Sequence, residues 1–271
     1  MPQLRLIRES SFANGARNMA TDCAIFEAVC ADRQPPTLRL YGWEPMCLSL
    51  GYGQRSHDVD TDRLRARGWQ LVRRPTGGKA ILHGDELTYS LCLPRVHPLA
   101  AGDVVESYRR IGAALAIGLE GLGVTIVSEL KEPGVNAAAG PVCFEIASHY
   151  EITVGGRKLV GSAQMRRKGG LLQHGAIPIC GDVGRICDVL SFEREEAREA
   201  QRRSVRERAA TLASTLSYLP SWDDVADAIL KGVERTFGVD ILCKGLSTVE
   251  LDRIETLMAE RFANPDWTAK R

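Results

Sequence analysis

The middle of the chain restricts its fold more than any other part. Apolar and polar residues alternate over residues 150–154 and 157–165, and Gly155 and Gly156 separate the two runs. After a second glycine turn the chain enters a further apolar run over residues 171–179. Alternation with a period of two, broken by Gly-Gly pairs, is typical of antiparallel strands joined by tight turns. The pattern therefore predicts a three-stranded β-meander with cations at its turns.

The remaining patterns predict both helices and strands. Apolar residues recur at helical spacing over residues 18–31 and 103–122. Further strands are expected at residues 4–8, 37–41, 47–50, 69–73 and 87–93.

Two strand pairings follow from these positions. Residues 37–41 and 47–50 flank a short turn, so we expect them to form a strand pair. Residues 69–73 run into a tight connection that holds a Gly-Gly pair, and residues 87–93 are the expected returning strand.

Helical patterns dominate the last third of the chain. Ser221 and Ser247 each begin a capping-box pattern, which is a helix-start signal. The fold class predicted is α+β, with mixed β-sheets, flanking helices and a helical C-terminal part. We expect one catalytic domain over residues 1–271, with a sheet-rich part at 1–180 and a helical part at 181–271.

Charge and cysteine usage limit the classes of partner. A formal net charge of +1 argues against a general nucleic-acid or membrane binder, whose surface is broadly basic. The sequence has no apolar run long enough for a membrane span and no signal core after its start, so we expect a cytoplasmic protein. The eight cysteines form no Cys-x-x-Cys pair and no zinc-like group with the five histidines, so no metal site is predicted.

Residues 73–83 (RRPTGGKAILH) are the first candidate for a binding site. Adjacent Gly77 and Gly78 allow close approach of the backbone to a ligand, and their amides are free to hold an oxygen atom. This is not a nucleotide-triphosphate loop, because Ala80 follows Lys79 where that motif needs Ser or Thr. An ordinary tight turn explains the glycines equally well, and a structural role explains His83.

The second candidate pairs a thiol with an amine. Cys143 stands 15 residues before Lys158, which follows the Gly155-Gly156 turn. A nearby ammonium raises the thiolate fraction of a cysteine, and the thiolate is the nucleophile in acyl transfer. The small residues at 161–163 leave room for a ligand beside Lys158. The alternatives are a core cysteine and an exposed hairpin lysine.

Taken together in this order, the motifs resemble those of a known family. The chain is similar to the biotin/lipoate protein ligase superfamily, and within it to the bacterial octanoyltransferases of the lipoate-ligase-like branch. The resemblance rests on residues 18–22 (NMATD), 39–43 (RLYGW), 73–78 (RRPTGG), 86–90 (ELTYS), 142–144 (VCF), 156–158 (GRK), 161–164 (GSAQ), 172–175 (LQHG), 266–267 (DW) and 270–271 (KR). The chain departs from the family pattern at Gly84, where an aspartate is usual, and at residues 147–151 (ASHYE), where the family often has PSWYE.

The resemblance implies an octanoyltransferase of protein lipoylation with the biotin/lipoate ligase fold. Cys143 would take an octanoyl group from acyl carrier protein as a thioester, and Lys158 would act as base and position the carbonyl. The acceptor would be a lysine of a lipoyl domain, such as that of the glycine-cleavage H protein, and no cofactor is expected. The candidate acyl- and substrate-binding residues are Arg73, Gly77, Gly78, His83, Gly161, Ser162, Ala163 and His174.

Three other functions remain open from the sequence. An ATP-dependent lipoate–protein ligase would use ATP and Mg²⁺, but ligases of the superfamily generally lack a cysteine at the position of Cys143. An octanoyl amidotransferase between lipoyl domains would use the same cysteine and lysine. A non-catalytic module that binds a carrier protein would form no acyl adduct on Cys143.

Overall fold

The central element is a six-stranded sheet. The structure is a computed structural model and describes residues 3–127, 152–167 and 169–270. In spatial order the strands are β11 (Asp240–Cys243), β1 (Gln3–Arg8), β2 (Thr37–Tyr41), β6 (Glu86–Pro94), β10 (Gly170–Pro178) and β9 (Gly161–Arg167). The sheet is mixed: β1 is parallel to both β11 and β2, while β6, β10 and β9 form an antiparallel series.

The antiparallel register carries two site residues to the same place. His174 on β10 is paired with Ala163 on β9, and Gly175 is paired with Ser162. All nine residues of β10 are buried. β6 and β9 pair with its two edges, and side chains from both of its faces belong to buried hydrophobic clusters. The sheet edge formed by β9 is where the loops of the site gather.

Two smaller sheets complete the β-structure. β4 (Gln70–Arg73) and β5 (Ile81–His83) both pair with β3 (Cys47–Leu50), in parallel and antiparallel orientation respectively. Residues 74–80 join β4 to β5, and we call this segment the glycine loop. β7 (Thr153–Val154) and β8 (Arg157–Lys158) form a short antiparallel ribbon around Gly155-Gly156.

Helices cover the sheets, and all of the described α-helices except the one at Glu195–Arg208 begin at a side-chain cap. They are α1 (Gly15–Cys30), α2 (Thr61–Ala66), α3 (Val104–Glu120), α4 (Glu195–Arg208), α5 (Trp222–Phe237), α6 (Thr248–Leu257) and α7 (Pro265–Thr268). Capping boxes begin α3, α5 and α6, because a side chain at the N-cap and another at N3 satisfy the free amides of the first turn. Short 3₁₀ turns lie at Ser56–Asp58, Pro98–Ala100, Val183–Val189 and Leu212–Ser214, and a π-helical turn at Met258–Phe262 follows α6.

The α+β class, the meander and both C-terminal capping boxes are confirmed. In the meander, β9 and β10 pair as expected, but the predicted strand over residues 157–165 is divided into β8 and β9 by buried Leu159 and Val160. None of the helices in the described ranges is long and apolar enough to cross a membrane.

Two predicted pairings are wrong. β2 does not pair with β3, because β2 lies between β1 and β6 and both of its edges are occupied. The strand that returns after the glycine loop is β5 rather than residues 87–93, since β6 pairs with β2 and β10 in the larger sheet. The helical C-terminal part also contributes a strand, β11, which extends the large sheet beside β1.

A buried ion pair attaches the C-terminal helices to this sheet. The Arg5 guanidinium on β1 donates to both carboxylate oxygens of Glu250 on α6, at 3.0 and 2.6 Å. Both side chains are almost fully buried, and Thr37 accepts a further bond from Arg5 at 3.0 Å. Removing one partner of such a pair leaves an uncompensated buried charge.

We therefore expect Glu250→Gln to lower the free energy of unfolding by about 3–5 kcal/mol, as for other buried pairs that lose one partner. The control is Asp227→Asn, which removes one of the two exposed carboxylate partners of Arg8 and is expected to cost less than about 1 kcal/mol. Urea unfolding of both variants measures the difference, and equal losses would contradict the role given to Glu250.

Candidate active site

A cavity of about 460 Å³ opens at the edge of β9, and we call it the outer cavity. This volume falls within the range of about 300–1,000 Å³ that is common for small-molecule sites. Its lining combines two lysines, two glycines of the glycine loop and polar side chains from three other elements: Gly53, Gln54, Gly77, Gly78, Lys79, Tyr108, Lys158, Ser162, Ala163 and Gln164.

Lys158 reaches the outer cavity from the end of the β7–β8 ribbon. Lys158 is buried, and its backbone is held on two sides. It pairs with Thr153 in the ribbon, and its carbonyl accepts a hydrogen bond from the amide of Ala210 at 2.9 Å. Leu159 and Val160 then turn the chain into the core, so that Ser162 and Lys158 line the same cavity. A primary amine held here is suited to act as a base or as an oxyanion partner.

The proposed nucleophile, Cys143, lies outside the described residues. Among the described thiols, burial raises the pKa of Cys23 to about 12 and also raises the pKa values of Cys47 and Cys92. Burial, with the nearby Asp85 carboxylate, also raises the pKa of Cys180. These four environments suppress the thiolate, so none of the four favours nucleophilic catalysis.

The glycine loop has a defined backbone conformation. Gly78 has φ of +90°, a region that side-chain-bearing residues rarely adopt. The Arg74 guanidinium lies beneath the loop and donates to the carbonyls of Gly77 and Lys79, at 2.7 Å each. The loop is therefore held in place by its own arginine while Gly77 and Gly78 line the outer cavity.

A second, smaller space lies beside the first, and we call it the inner pocket. It measures about 20 Å³, which is room for roughly one water molecule. Ala163 lines both spaces. The lining of the inner pocket is otherwise Met19, Tyr41, Trp43, Ser49, Arg74, Ile81, His83, Thr88, Gly161, His174, Gly175 and Ala176.

His83 belongs to a buried polar chain at the inner pocket. Its Nδ1 lies 2.5 Å from a carboxylate oxygen of Glu86, and its Nε2 lies 2.7 Å from the Ser49 hydroxyl. Its ring stacks on Trp43 with centroids 4.0 Å apart. The order carboxylate, imidazole, hydroxyl resembles a hydrolase triad, but Ser49 is fully buried and also accepts a bond from Arg74 at 3.1 Å. Because the Ser49 hydroxyl is fully buried and the adjoining pocket has room for roughly one water molecule, Ser49 is poorly placed to attack a substrate.

His174 occupies a matching chain on the other side of the inner pocket. Its Nδ1 lies 3.1 Å from the Asp22 carboxylate and its Nε2 lies 2.6 Å from the Thr76 hydroxyl. Burial lowers the pKa of His174 more than the neighbouring Asp22 raises it. The pKa of Asp22 is also lowered, since its bonds to His174 and Arg39 outweigh the cost of burial. The stable form is therefore a neutral imidazole beside a carboxylate.

The candidate substrate-binding residues are thus divided among three places. Gly77, Gly78 and Ser162 line the outer cavity with Lys158, while His83, Gly161 and His174 line the inner pocket, and Ala163 lines both. Arg73 instead bonds to the backbone carbonyls of Gly51, Gln54 and Thr268, which anchors the C-terminal end of α7.

Several residues of the site were not identified from the sequence. Asp22 and Glu86 orient the two histidines, and Ser49 bonds to His83. Arg74 and Thr76, which complete the chains, lie within the candidate segment 73–83 but were not named individually. One signal was available: Asp22 is a charged residue on a helix face that otherwise carries core residues. In the described parts of the chain, no group of three or more His, Cys, Asp or Glu residues is placed to hold a metal ion.

Sequence comparison assigns the class of this fold and site. The model of the lipoyl protein ligase A/B catalytic domain matches residues 14–234, and the chain belongs to this family. It is 39% identical to octanoyltransferase LipM of Carboxydothermus hydrogenoformans over 98% of both chains. It is 40% identical to octanoyltransferase LipM of Kyrpidia tusciae over 95% of this chain and 96% of that protein.

Among solved structures, the chain is similar in fold to a bi-partite lipoate protein ligase from Thermoplasma acidophilum. The two superpose with a TM-score of 0.80 over 99% of this chain and 96% of the other, at 24% identity. The ligase therefore shares the architecture of the sheet and its helices.

The two glycines of the loop provide a matched stability test. Gly78→Ala forces a Cβ into positive φ and is expected to cost about 1–2 kcal/mol. A Cβ at Gly77 would have no atom outside its chain neighbours within 4 Å, so Gly77→Ala is expected to stay within about 0.5 kcal/mol of the wild type. Urea unfolding of both variants checks this, and a larger loss for Gly77→Ala would contradict the loop geometry.

Proposed function

We propose that this protein is an octanoyltransferase of protein lipoylation that works through a thioester on Cys143. The observation that carries the proposal is the similarity, over nearly the whole of both chains, to two octanoyltransferases at 39% and 40% identity. The outer cavity supports it, because Lys158 and the glycine loop face the same space.

The proposed reaction consists of two exchanges. The Cys143 thiolate attacks the thioester of octanoyl-acyl carrier protein, a new carbon–sulfur bond forms, and the carrier thiolate leaves. The amine of a lipoyl-domain lysine, such as that of the glycine-cleavage H protein, then attacks this thioester. A carbon–nitrogen bond forms, the Cys143 thiolate leaves, and the proton that the attacking amine loses passes to Lys158, which acts as the base. The donor is already activated, so the balance needs no ATP or other cofactor.

We assign the reacting carbonyl to the outer cavity. Each tetrahedral intermediate places negative charge on the carbonyl oxygen, and amides of Gly77 and Gly78 are suited to stabilise it there. The acyl chain would extend along Ala163 toward the inner pocket. That pocket holds about 20 Å³, so its lining side chains must move before methylene groups enter it.

A lipoate–protein ligase is the second candidate function. The observation in its favour is the fold shared with a lipoate ligase at a TM-score of 0.80. A ligase would require ATP and free lipoate, whereas the proposed transferase requires an acylated carrier protein. An amidotransferase would accept its octanoyl group from a lipoyl domain instead.

Octanoyl-acyl carrier protein is expected to acylate Cys143 in the absence of ATP. The adduct should be released by hydroxylamine, because thioesters react with it, and it should be absent from Cys143→Ser. The control is Cys243→Ser, which removes an exposed thiol and should leave labelling unchanged. Intact-protein mass spectrometry measures the adduct. Labelling of Cys143→Ser, or transfer only with ATP and free lipoate, would refute the thioester.

Lys158→Met is expected to lower the rate of amide formation by about 10²–10⁴-fold, the usual contribution of a general base. The matched control is Lys79→Met, which removes the other lysine of the outer cavity and should cost less than Lys158→Met. Single-turnover transfer from preformed octanoyl-enzyme to a lipoyl domain measures both. A larger loss for Lys79→Met would assign the base to the glycine loop.

A further inference from the structure

A continuous buried chain of hydrogen bonds leads from the core to the glycine loop. Arg39 on β2 donates to Asp22 on α1 at 2.8 Å, and Asp22 contacts His174 on β10 at 3.1 Å. His174 in turn lies 2.6 Å from the hydroxyl of Thr76 in the loop. All four residues are buried, and each comes from a different element of the fold. We call Asp22, His174 and Thr76 the relay.

The donors and acceptors of the relay follow from the carboxylate. Ionised Asp22 only accepts, so Nδ1 of His174 carries a hydrogen and donates to it. In the neutral ring Nε2 is then a bare acceptor, and it takes the hydrogen of the Thr76 hydroxyl. The geometry thus selects one tautomer and one orientation of the hydroxyl. Protonation of Nε2 would reverse the last bond and leave the Thr76 hydrogen in need of another acceptor.

Burial opposes such protonation more strongly than the Asp22 carboxylate favours it. Asp22 and the Tyr41 hydroxyl, which is bonded to Asp22 at 2.9 Å, face it from α1 and β2. Arg74 from the loop and His83 from β5 lie on the other side and disfavour a second cation. Burial acts in the same direction, so the neutral form persists below the ordinary pKa of histidine.

The relay ends beside the atoms that the proposed reaction needs. Thr76 directly precedes Gly77 and Gly78, which line the outer cavity with Lys158. Arg74 holds the loop by donating to the carbonyls of Gly77 and Lys79. The Thr76 carbonyl accepts a hydrogen bond from the amide of Tyr52 at 2.8 Å. The bond to His174 is the side-chain contact that ties this end of the loop to the sheet.

We propose that His174 is a positioning residue: through the Thr76 hydroxyl it sets the place of the Gly77 and Gly78 amides at the outer cavity. This inference rests on the proposed function for its effect on acyl transfer. It gives His174 a role that acts through another residue rather than by contact with substrate. Displacing catalytic groups by about 1 Å can cost about 10²-fold in rate, so a single buried hydrogen bond is enough to matter.

Nuclear magnetic resonance of protein labelled at both glycine and histidine tests the relay without reference to activity. In the wild type, the His174 ring and the Gly77 and Gly78 amides are expected to titrate together, with a midpoint below 6.5, the ordinary value for histidine. In Thr76→Val the ring should still titrate while the two amides no longer follow it. The control His97→Gln should leave all three titrations unchanged. Amides that ignore His174 in the wild type, or follow it equally in Thr76→Val, overturn the inference.

Kinetics then test its consequence. Thr76→Val is expected to lower kcat for octanoyl transfer by roughly 10–100-fold, with KM for the donor changed less than about twofold, because orientation rather than binding is lost. Thr76→Ser keeps the hydroxyl and is expected to recover most of the rate. Equal rates for the Val and Ser variants would overturn the positioning role. If no octanoyl donor supports transfer in the wild type, the proposed function fails, while the amide titration still decides the relay.

Discussion

The carboxylate of Asp22 is the interaction on which the assembly of this site depends. It is fully buried and accepts bonds from Arg39, Tyr41 and His174, at 2.8, 2.9 and 3.1 Å. Burying a carboxylate without such donors costs several kcal/mol. The packing of α1, β2 and β10 is therefore restricted to an arrangement that brings these donors to Asp22. Through His174 and Thr76 the same requirement extends to the glycine loop. The charge therefore specifies geometry more than it adds net stability.

The site itself is made from an edge strand and small residues. Among the described residues β9 is the last strand at this edge of the large sheet, and the outer cavity lies beside it. Gly161 and Ala163 on β9, with Gly175 and Ala176 on β10, leave the space that larger side chains would fill. Two hydrogen-bonded chains of carboxylate, imidazole and hydroxyl border this space: Glu86, His83 and Ser49 in one, and Asp22, His174 and Thr76 in the other. They keep both histidines oriented while the primary amines remain at the outer cavity.

The fold alone does not decide the chemistry. A lipoate ligase shares the architecture at a TM-score of 0.80 with only 24% identity, so ligation and transfer are compatible with the same scaffold. The difference must lie in side chains at the site and in how the acyl group is activated. Burial raises the pKa values of Cys23, Cys47 and Cys92, so these thiols are poorly suited to the reaction, and the proposal assigns the nucleophile to Cys143 and the base to Lys158.

Much of the fold was predictable because local patterns have local causes. The alternation around Gly169-Gly170 depends on neighbours two residues apart and produced β9 and β10. The capping boxes at Ser221 and Ser247 join groups three residues apart and begin α5 and α6. Lys158 was also recognisable from a local pattern, because it follows the Gly155-Gly156 turn and precedes the small residues at 161–163.

Long-range contacts were not predictable from one sequence. The pairing of β3 with β4 and β5, and of β11 with β1, depends on which strand edges remain open after the core has formed. His83 contacts Glu86, three residues away, but its other partner, Ser49, is 34 residues away. Thr76, a partner of His174, is 98 residues away. No spacing rule connects these distant pairs. The sequence by itself determined most of the helices and strands, the glycine turns and the family motifs. Only the tertiary structure decided which buried charges meet, because a buried ion or imidazole takes its partner from whatever the packed core brings within hydrogen-bond distance.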